Sequence, residues 1–456
     1  MRADVVIVGS GQAGVPLAAR LAEAGRRVVI AERKRLGGTC VNYGCTPTKT
    51  MVASAHAAHV ARTAARFGVK AGRVTVDMPA VVDRKDRIVR RWRDGVRERL
   101  QKAAPRLTLA RGHARFIRPR EIEIAGERYE ADVVVLNVGA RPAVPPIPGL
   151  DSVPWLDNSG LMRLRRVPDH LIVLGGGYIG CEFAQMFRRF GAKVSVVDRD
   201  EHLLSTEESE ASAAIEKAFR AEGIRVLTKA TARSVAGSAR GVTVRLDGGR
   251  TATGSHLLVA VGRRPNTDDL GAGAAGIRLD AKGYVEVDER YRTSAEGVYA
   301  VGDCTPGPQF THASWDDHRI LFDLLQGRGT RTRNDRLVPI TAFTDPQVAR
   351  IGLTERDARA RGYAPEVATM DFGEIARAVE TDQRAGTMKI LLDPKTEKVL
   401  GVSIVGAEAG ELIHVFAPVM VAGVSARAIV DGEYVHPTFA EGVQSLVMSL
   451  PRYAID

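Results

Sequence analysis

Four short apolar runs, at residues 5–8, 28–30, 171–174 and 194–196, fall into two pairs with the same internal spacing. The second pair begins 166 residues (171 − 5) after the first. Runs of this length, interrupted only by Ser195, are typical of strands that are buried on both faces of a parallel sheet. The pattern therefore predicts an α/β fold in which one supersecondary unit occurs twice.

Glycines and an acidic residue complete each copy of this unit. In a Gly-x-Gly-x-x-Gly turn, the first glycine permits a tight turn, the second lets the backbone approach a pyrophosphate, and the third lets helix and strand pack closely. An acid at the end of the second strand accepts hydrogen bonds from a ribose diol. The two copies consist of Gly9, Gly11, Gly14 and Glu32, and of Gly175, Gly177, Gly180 and Asp198. Two dinucleotide-binding units are therefore predicted.

A third apolar strand follows in each half of the chain. These strands, at residues 133–138 and 257–261, end at Gly139 and Gly262, and a proline comes shortly after each glycine. We expect the strands to complete the two nucleotide-binding sheets and the prolines to end strand pairing. The proline-rich segment 142–149 is expected to link two domains.

Two cysteines, Cys40 and Cys45, follow the first nucleotide-binding unit. Residues five apart on a regular helix have Cα atoms roughly 8 to 9 Å apart, whereas a disulfide needs about 4.4 to 6.8 Å. The segment must therefore leave the helical conformation if the sulfurs are to bond. Gly44 permits such a turn, and Pro47 suits a helix that begins just after Cys45. The alternative to a redox-active pair is two inert buried thiols. If the pair is redox-active, its combination with two dinucleotide sites implies an electron path from nicotinamide through flavin to the disulfide.

Composition restricts the class of protein. The 456 residues include only four cysteines, too few for a secreted disulfide scaffold, and we expect Cys181 and Cys304 to be small buried hydrophobes. No apolar run approaches the ~20 residues of a membrane helix. The N-terminus enters a strand at once, which leaves no room for a signal peptide. We therefore expect a cytoplasmic protein without a membrane partner.

The net charge of +11 comes in part from the basic segment 84–106. Apolar residues, among them Trp92, recur in and around this segment at helical spacing, so Lys85 and the neighbouring arginines are expected on the solvent face of a helix. Attraction of an anionic substrate or an acidic partner is the alternative. No nucleic-acid-binding module is present in the pattern, and no metal site is expected.

Together these features resemble the pyridine nucleotide-disulfide oxidoreductases, the family of glutathione reductase, lipoamide dehydrogenase and mercuric reductase. The resemblance runs from residue 5 to residue 446. Besides the nucleotide units, it rests on the cysteine segment, a second flavin motif, the start of an interface domain, and a His-Pro-Thr-x-x-Glu motif, which occupy residues 37–50, 297–303, 339–355 and 436–441.

The resemblance implies a three-part α/β fold. Two Rossmann-like dinucleotide-binding domains, for FAD and NAD(P), would precede a C-terminal α+β dimerisation domain. The implied boundaries are 1–149 for the FAD domain with its redox-active disulfide, 150–267 for the NAD(P) domain, 268–336 for the second part of the FAD domain, and 337–456 for the dimerisation domain.

The resemblance also assigns residues to the two cofactors. FAD would be held by Gly9, Gly11, Gly14, Glu32, Thr39, Lys49, Gly139, Asp303, Thr311 and His312, with Asp303 at the ribityl chain and backbone groups of Thr311 and His312 at the isoalloxazine edge. NAD(P) would be held by Gly175, Gly177, Tyr178, Gly180, Asp198, Arg199 and Gly262. Asp198 favours NADH over NADPH, although Arg199 beside it suits a 2′-phosphate.

Six residues would carry the chemistry that the resemblance implies. Cys45 would face the flavin and Cys40 would attack the substrate disulfide. Lys49 would pair with Glu182 near the flavin, with a purely structural ion pair as the alternative. His436, oriented by Glu441, would enter the active site of a second subunit as acid and base, so that the enzyme would be a homodimer acting on a small-molecule or small-protein disulfide.

Other acceptors stay open at this point. The chain lacks the C-terminal cysteine pair and the N-terminal metal-binding domain of mercuric reductases. Its amino-acid sequence around Cys45 nevertheless resembles mercuric-reductase-like proteins, some of which are linked to copper or oxidant stress. Reduction of a metal ion or another oxidant is therefore one alternative, and lipoamide dehydrogenase is a second, with Tyr178 as mild evidence against it. A flavoprotein redox sensor without turnover is a third.

Overall fold

The computed structural model describes residues 1–238 and 241–453. Residues 454–456, which belong to the C-terminal segment without a cysteine pair, lie outside the described residues. The described part contains 21 strands. In chain order they are β1 (Arg2–Val8), β2 (Val28–Glu32), β3 (Leu107–Arg111), β4 (Ala114–Arg118), β5 (Glu121–Ile124), β6 (Glu127–Leu136), β7 (Ala140–Pro142), β8 (His170–Leu174), β9 (Lys193–Val197), β10 (Arg225–Leu227), β11 (Ala232–Ser238), β12 (Gly241–Leu246), β13 (Thr251–Gly254), β14 (His256–Val259), β15 (Arg263–Pro265), β16 (Val298–Ala300), β17 (Ile340–Ala342), β18 (Gln347–Gly352), β19 (Glu366–Asp371), β20 (Thr387–Leu392) and β21 (Val399–Gly406).

The same residues form 13 α-helices. They are α1 (Gly14–Glu23), α2 (Gly38–Asn42), α3 (Cys45–Thr63), α4 (Met78–Lys102), α5 (Asn158–Leu161), α6 (Tyr178–Phe190), α7 (Ser209–Ala221), α8 (Thr311–Leu325), α9 (Glu355–Ala360), α10 (Ala376–Glu380), α11 (Ala409–Ala422), α12 (Arg427–Val430) and α13 (Glu441–Met448). None of them is both long and apolar enough to cross a membrane, as far as the described residues extend.

The chain divides into two compact units, of which the first comprises residues 1–51, 79–143 and 262–336. Its seven-stranded sheet has the order β3-β2-β1-β6-β5-β4, with β16 also paired to β6. Strands β2, β1, β6 and β16 run parallel, so their carboxyl ends lie at one edge of the sheet. Apolar side chains of these strands form a core on each face of the sheet. The predicted first Rossmann-like unit, closed by the strand at 133–138, is confirmed.

The second unit comprises residues 52–78, 144–261 and 337–456. Residues 144–261 contribute a parallel sheet of order β10-β9-β8-β14 and a small antiparallel sheet of β11, β12 and β13. Residues 337–456 contribute an antiparallel sheet of order β17-β18-β21-β20-β19, against which α11 packs. The second Rossmann-like unit and the C-terminal α+β part agree with the predicted fold class.

The two proline segments behave differently from the prediction that they end strand pairing. Strands β7 and β15 pair with each other in antiparallel register, with Pro142 opposite Arg263 and Pro265 opposite Ala140. A two-stranded ribbon has only edge strands, and a proline on an edge costs no hydrogen bond of a central ladder. The two prolines therefore lie within this small ribbon, beyond the last residues of β6 and β14.

Helix α4 confirms the predicted helix in the basic segment and corrects two of its details. Lys85 is buried and pairs with Asp86 at 2.7 Å, although we expected it on the solvent face. It lies on the same helix face as buried Val82 and Val89, where its methylene chain replaces an apolar residue. Trp92, expected to pack inward, is 59% exposed, so the buried stripe is interrupted there.

The two cysteines outside the redox pair are buried, as predicted. Cys181 donates its thiol to the carbonyl of Gly176 at 3.3 Å. Burial raises the pKa of the Cys304 thiol to about 12, so this group stays protonated. Both behave as small apolar residues.

Candidate functional site

Two positions of the turn after β1 have no room for a side chain. Gly9 has φ +106°, and a Cβ atom on it would lie 2.3 Å from the carbonyl oxygen of Asn137. A Cβ on Gly14 would lie 2.2 Å from the carbonyl oxygen of Gly9. Asn137 follows β6, and its amide Nδ2 donates to that same carbonyl at 3.3 Å. The turn thus brings the N-terminus of α1 close to the carboxyl ends of β1 and β6, where a pyrophosphate binds in this type of fold.

The acids that end β2 and β9 are held in the same way in both units. Glu32 accepts from the backbone amides of Ser10 at 3.2 Å and Lys34 at 2.7 Å. The equivalent positions repeat after 166 residues (198 − 32): Asp198 accepts from the amides of Gly176 and, at 2.8 Å, Asp200. The internal repeat therefore extends to individual hydrogen bonds. Each carboxylate keeps acceptor sites for a ribose hydroxyl.

Some glycines of the turns face open space and others do not. A Cβ on Gly177 would meet no atom within 4 Å, although one on neighbouring Gly180 would lie 1.9 Å from the carbonyl oxygen of Gly175. In the first unit, Gly139 has φ +66°, and a Cβ there would also meet nothing within 4 Å. Gly180, where a Cβ would clash with backbone, fixes the shape of its turn. Gly177 and Gly139, where a Cβ would meet no atom, leave the backbone accessible to a ligand.

The helix breaks between the two redox cysteines, as the sequence predicted. Helix α2 ends before Tyr43, which has φ −142°, and α3 begins at Cys45 itself rather than just after it. A Cβ on Gly44 would lie 3.1 Å from the carbonyl oxygen of Thr39, which itself accepts from the Tyr43 amide at 2.8 Å. Cys40 is partly buried and Cys45 is exposed.

The two thiols differ in electrostatic environment. The sulfur of Cys45 lies 3.0 Å from the hydroxyl oxygen of Thr311, the first residue of α8. The N-termini of α3 and α8 therefore meet at this sulfur, and a helix N-terminus stabilises an anion. A hydrogen bond with Cys45, together with burial, raises the pKa of the Cys40 thiol. The helix N-termini favour negative charge at Cys45, and the raised pKa favours the protonated form of Cys40.

His436 and Glu441 form a close pair. Nδ1 of His436 lies 2.8 Å from Oε2 of Glu441, the first residue of α13. The His436 side chain is nevertheless 70% exposed. Because Nδ1 is occupied by the carboxylate, proton exchange with another molecule is left to Nε2. Val435 beside it and Val421 at the end of α11 are 75% and 74% exposed.

Lys49 and Glu182 belong to different units of the chain. Lys49 lies in the first turns of α3. Glu182 is buried in α6, and its Oε1 accepts from the backbone amide of Phe343 at 2.9 Å. The ion pair between Lys49 and Glu182 stays a prediction.

Tyr178, the first residue of α6, is fixed by a buried carboxylate. Its hydroxyl donates to Glu207, which also pairs with Arg350 of β18 at 2.7 Å. Burial and the negative charge of Glu207 raise the pKa of the Tyr178 phenol. Arg199, predicted beside the ribose acid, is exposed and lies 3.7 Å from Asp200.

The remaining predicted flavin residues lie in the first unit. Asp303 follows β16, and its carboxylate lies 3.6 Å from the guanidinium of Arg263. The ring of His312 stacks on Phe310 with 5.5 Å between centroids. Among residues 1–238 and 241–453, no cluster of three or more His, Cys, Asp or Glu is arranged to hold a metal ion.

Comparisons with known proteins assign the fold and these motifs to one family. The model for pyridine nucleotide-disulphide oxidoreductases matches residues 3–317, and the model for the dimerisation domain of the same proteins matches residues 338–447. The chain belongs to the pyridine nucleotide-disulphide oxidoreductase family. It is an FAD-dependent disulfide oxidoreductase that uses a pyridine nucleotide. Its dimerisation domain supports a homodimer.

Similar proteins within the family carry several names. The probable pyridine nucleotide-disulfide oxidoreductase RclA of Escherichia coli K12 is 35% identical, over 97% of this chain and 98% of its own length. A mercuric reductase of Lysinibacillus sphaericus is 32% identical over 98% of this chain and 83% of its own. A dihydrolipoyl dehydrogenase of Thermus scotoductus is 33% identical over 99% and 98%.

Solved structures show the same relationship. A Cu(II) complex of the HOCl-induced flavoprotein disulfide reductase RclA from Escherichia coli superposes with a TM-score of 0.90, at 33% identity and over 98% of this chain and 99% of that chain. The LpdA structure from Mycobacterium tuberculosis superposes with a TM-score of 0.89, at 29% identity and over 98% and 99%.

The geometry of this oxidoreductase adds residues that the sequence alone did not single out. Asn42, between the two cysteines, is buried; its amide donates to the carbonyl of Leu36 at 2.8 Å and accepts from Arg93 of α4 at 3.0 Å. Arg84 of α4 donates to the carbonyl of Thr50 in α3 at 2.8 Å. The basic helix therefore supports the redox segment. The position of Asn42 between the two cysteines was the only signal in the sequence for its role. Nothing in the neighbouring residues predicted its partner Arg93, about fifty residues further along the chain.

Two alanine substitutions in the second glycine turn should have different effects. Gly180→Ala places a methyl group against a backbone oxygen and should lower the melting temperature by several degrees. Gly177→Ala should fold normally, because its methyl group meets no protein atom, but should weaken NAD(P)H binding about tenfold or more. Thermal unfolding and nucleotide titration check both. Unchanged nucleotide affinity in Gly177→Ala would contradict this placement of the nucleotide.

The Thr311 hydroxyl should stabilise negative charge on the dithiol. Thr311→Val keeps the shape but removes a hydrogen bond to a charged sulfur, worth about 1.5–3 kcal/mol. The pH at which alkylation of the reduced protein is half-maximal should therefore rise by about one unit or more. Thr311→Ser, which keeps the hydroxyl, is the matched control. Identical alkylation profiles for the valine and serine variants would show that the hydroxyl has no such effect.

Proposed function

We propose that this enzyme passes an electron pair from NAD(P)H through FAD to the Cys40–Cys45 disulfide, and that the resulting dithiol reduces a disulfide in a small molecule or small protein. The unequal environment of the two thiols carries the proposal. Cys45 is exposed and lies at two helix N-termini, whereas the pKa of the Cys40 thiol is raised and its side chain is partly buried. One sulfur is thus suited to hold charge and the other to attack a substrate.

The proposed domain boundaries follow those implied by the sequence. Residues 1–149 and 268–336 would bind FAD, 150–267 would bind NAD(P), and 337–456 would form the interface. In the FAD domain, Gly9, Gly11 and Gly14 would hold the pyrophosphate, Glu32 the ribose, and Asp303 the ribityl chain. Thr39, Lys49, Gly139, Thr311 and His312 would complete that site. Bound FAD would supply the electron pair that opens the disulfide.

The exchange step requires proton transfer at Cys40. His436 of the partner subunit would take the Cys40 proton through Nε2, because the raised pKa of this thiol leaves it protonated at neutral pH. The Cys40 sulfur would then attack the substrate disulfide, forming a mixed disulfide and releasing one thiolate, which the same histidine protonates. The Cys45 thiolate would attack the Cys40 sulfur, re-form the Cys40–Cys45 disulfide and release the second substrate thiolate, which takes its proton from water. One electron pair has then moved from the dithiol to the substrate.

Sharing of the active site between subunits is supported by the surroundings of His436. Its side chain is mostly exposed in one subunit, and the apolar side chains of Val435 and Val421 are exposed on the C-terminal part. A second copy that covers these valines would remove apolar area from water. It would also enclose a histidine whose carboxylate partner is already in place.

Reduction of a metal ion or an oxidant is the second candidate, because the chain is similar to a disulfide reductase that is HOCl-induced and solved with Cu(II). The His436–Glu441 pair favours disulfide exchange, since direct transfer of electrons to a metal has less need of a thiol-protonating base. Lipoamide dehydrogenase is disfavoured by Tyr178. Steady-state turnover with glutathione disulfide, lipoamide, other low-molecular-weight disulfides, Cu(II) and Hg(II) separates these candidates.

We expect His436 to be required for disulfide exchange and to act in the active site of the other subunit. His436→Asn should slow disulfide turnover by about 10²–10⁴-fold and leave reduction of the protein by NAD(P)H nearly unchanged. A heterodimer of one His436→Asn subunit and one Cys40→Ser subunit should regain activity, because one of its two sites then contains both groups. Turnover of purified heterodimers, with each homodimeric variant as control, measures this. An inactive heterodimer would contradict a shared site.

NADH is the proposed electron donor in preference to NADPH. The Asp198 carboxylate can accept from a free 2′-hydroxyl and repels a 2′-phosphate, while exposed Arg199 offers only a partial countercharge. The specificity constant kcat/KM should therefore be higher for NADH, and Asp198→Asn should narrow the difference, with Arg199→Ala as the matched control. A higher specificity constant for NADPH in the unmodified enzyme would refute this preference.

A further inference from the structure

A buried carboxylate joins the start of α6 to the C-terminal sheet. The side chain of Glu207 is 1% exposed and lies in the segment between β9 and α7. It accepts from the hydroxyl of Tyr178, the first residue of α6. It also accepts from Arg350 of β18, with 2.7 Å between Nε and Oε2. All three residues belong to the second unit, and the contacts join its residues 144–261 to its residues 337–456.

The ion pair with Arg350 compensates the burial of this negative charge. The guanidinium is 13% exposed, and its Nη1 donates to the carbonyl of Gly352 at 2.8 Å. A buried carboxylate is stable only when it is paired and hydrogen-bonded. Arg350 therefore fixes the carboxylate, and the carboxylate fixes the Tyr178 hydroxyl. Because a hydrogen bond to a charged acceptor is stronger than one between neutral groups, this anchor restricts the tyrosine ring.

The anchored tyrosine lies at the turn where the nucleotide is proposed to bind. Tyr178 follows Gly177, at which a Cβ would meet no atom within 4 Å. The segment that carries Glu207 is also tied to this turn, because the Leu204 amide donates to the carbonyl of Gly176 at 2.9 Å. The open space beside the turn is therefore bordered by a tyrosine whose hydroxyl is held at Glu207. Without that anchor, the ring would be free to rotate into the space through another side-chain rotamer.

We propose that Glu207 and Arg350 are positioning residues for nucleotide binding, which hold the Tyr178 ring aside so that the backbone amides at the N-terminus of α6 stay accessible to the diphosphate of NAD(P)H. This inference rests on the nucleotide site of the proposed function. The diphosphate is the group concerned because backbone amides at a helix N-terminus bind phosphates. Through this one ion pair, the C-terminal part of the chain acts on nucleotide affinity.

The test is calorimetric titration of the oxidised holoenzyme with NAD⁺ and with NADP⁺, neither of which reduces the flavin. For the nucleotide that the unmodified enzyme binds more tightly, Tyr178→Phe and Glu207→Gln should each raise the dissociation constant about fivefold or more, since each weakens a hydrogen bond to a charged group. The double variant should bind no more weakly than the weaker single variant, because both changes act on the same contact. The limiting rate of flavin reduction at saturating NAD(P)H should change by less than about twofold.

Glu208→Gln is the matched control. Glu208 follows Glu207 in the same segment and is tied to the same sheet by an ion pair of 3.0 Å with Lys389 of β20. The substitution removes a buried charge at the neighbouring position but keeps the acceptor of the Tyr178 hydroxyl. Its dissociation constant should stay within about twofold of that of the unmodified enzyme. An effect as large as that of Glu207→Gln would show that the segment as a whole, and not the tyrosine anchor, sets the affinity.

Two outcomes separate the tyrosine anchor from the nucleotide site on which it rests. If Gly177→Ala leaves nucleotide affinity unchanged, the proposed nucleotide site is wrong. If Gly177→Ala binds weakly while Tyr178→Phe and Glu207→Gln bind like the unmodified enzyme, only the anchor is overturned. Should Glu207→Gln melt at a lower temperature than the Glu208→Gln control, Tyr178→Phe decides, because it leaves the ion pair with Arg350 in place.

Three further outcomes would each refute the anchor. Weak binding by Tyr178→Phe with normal binding by Glu207→Gln would show that the hydroxyl contacts the nucleotide directly. A further loss when Glu207→Gln is added to Tyr178→Phe would show that the carboxylate acts by another route. Tighter binding by either single variant would show that the anchor holds the ring in the path of the nucleotide.

Discussion

Close approach of backbone to backbone at the carboxyl ends of parallel strands is the constraint on which this structure depends. Gly14 must lie against the carbonyl of Gly9, and Gly180 against that of Gly175, at distances that exclude any Cβ atom. These contacts set the start of α1 and α6 relative to their sheets, and they leave the helix N-termini directed at the nucleotide sites. The acids at the ends of β2 and β9 are then held by amides of the same turns.

Helix N-termini also lie beside the redox cysteines, where they favour negative charge on a sulfur atom. Helices α3 and α8 both begin at the sulfur of Cys45, where backbone dipoles favour negative charge, and a hydrogen bond with Cys45 together with burial raises the pKa of the Cys40 thiol. Because the pKa of the Cys40 thiol is raised, the proposed exchange step calls for a base, which is the role proposed for the exposed His436–Glu441 pair. Arg93 holds the segment from α4 through Asn42.

The sequence predicted whatever depended on local spacing. The two nucleotide units, the break in the helix between the cysteines and the burial of Cys181 and Cys304 each follow from neighbouring residues. Three other features could not be predicted from neighbouring residues: the burial of Lys85, the exposure of Trp92 and the pairing of β7 with β15. Each depends on which residues of another segment lie nearby. The contact of Thr311 with Cys45 spans 266 residues, and the contact of Tyr178 with Glu207 depends on a loop without a motif. Side-chain partners far apart in sequence cannot be read from spacing.

The claim that Cys40 and Cys45 store an electron pair separately from the flavin is tested most directly by counting electrons. In an anaerobic reductive titration of the purified enzyme, the unmodified protein should take up two electron pairs per bound flavin, one for FAD and one for the disulfide. Cys45→Ser should take up a single pair. Equal uptake by the two proteins would contradict the account.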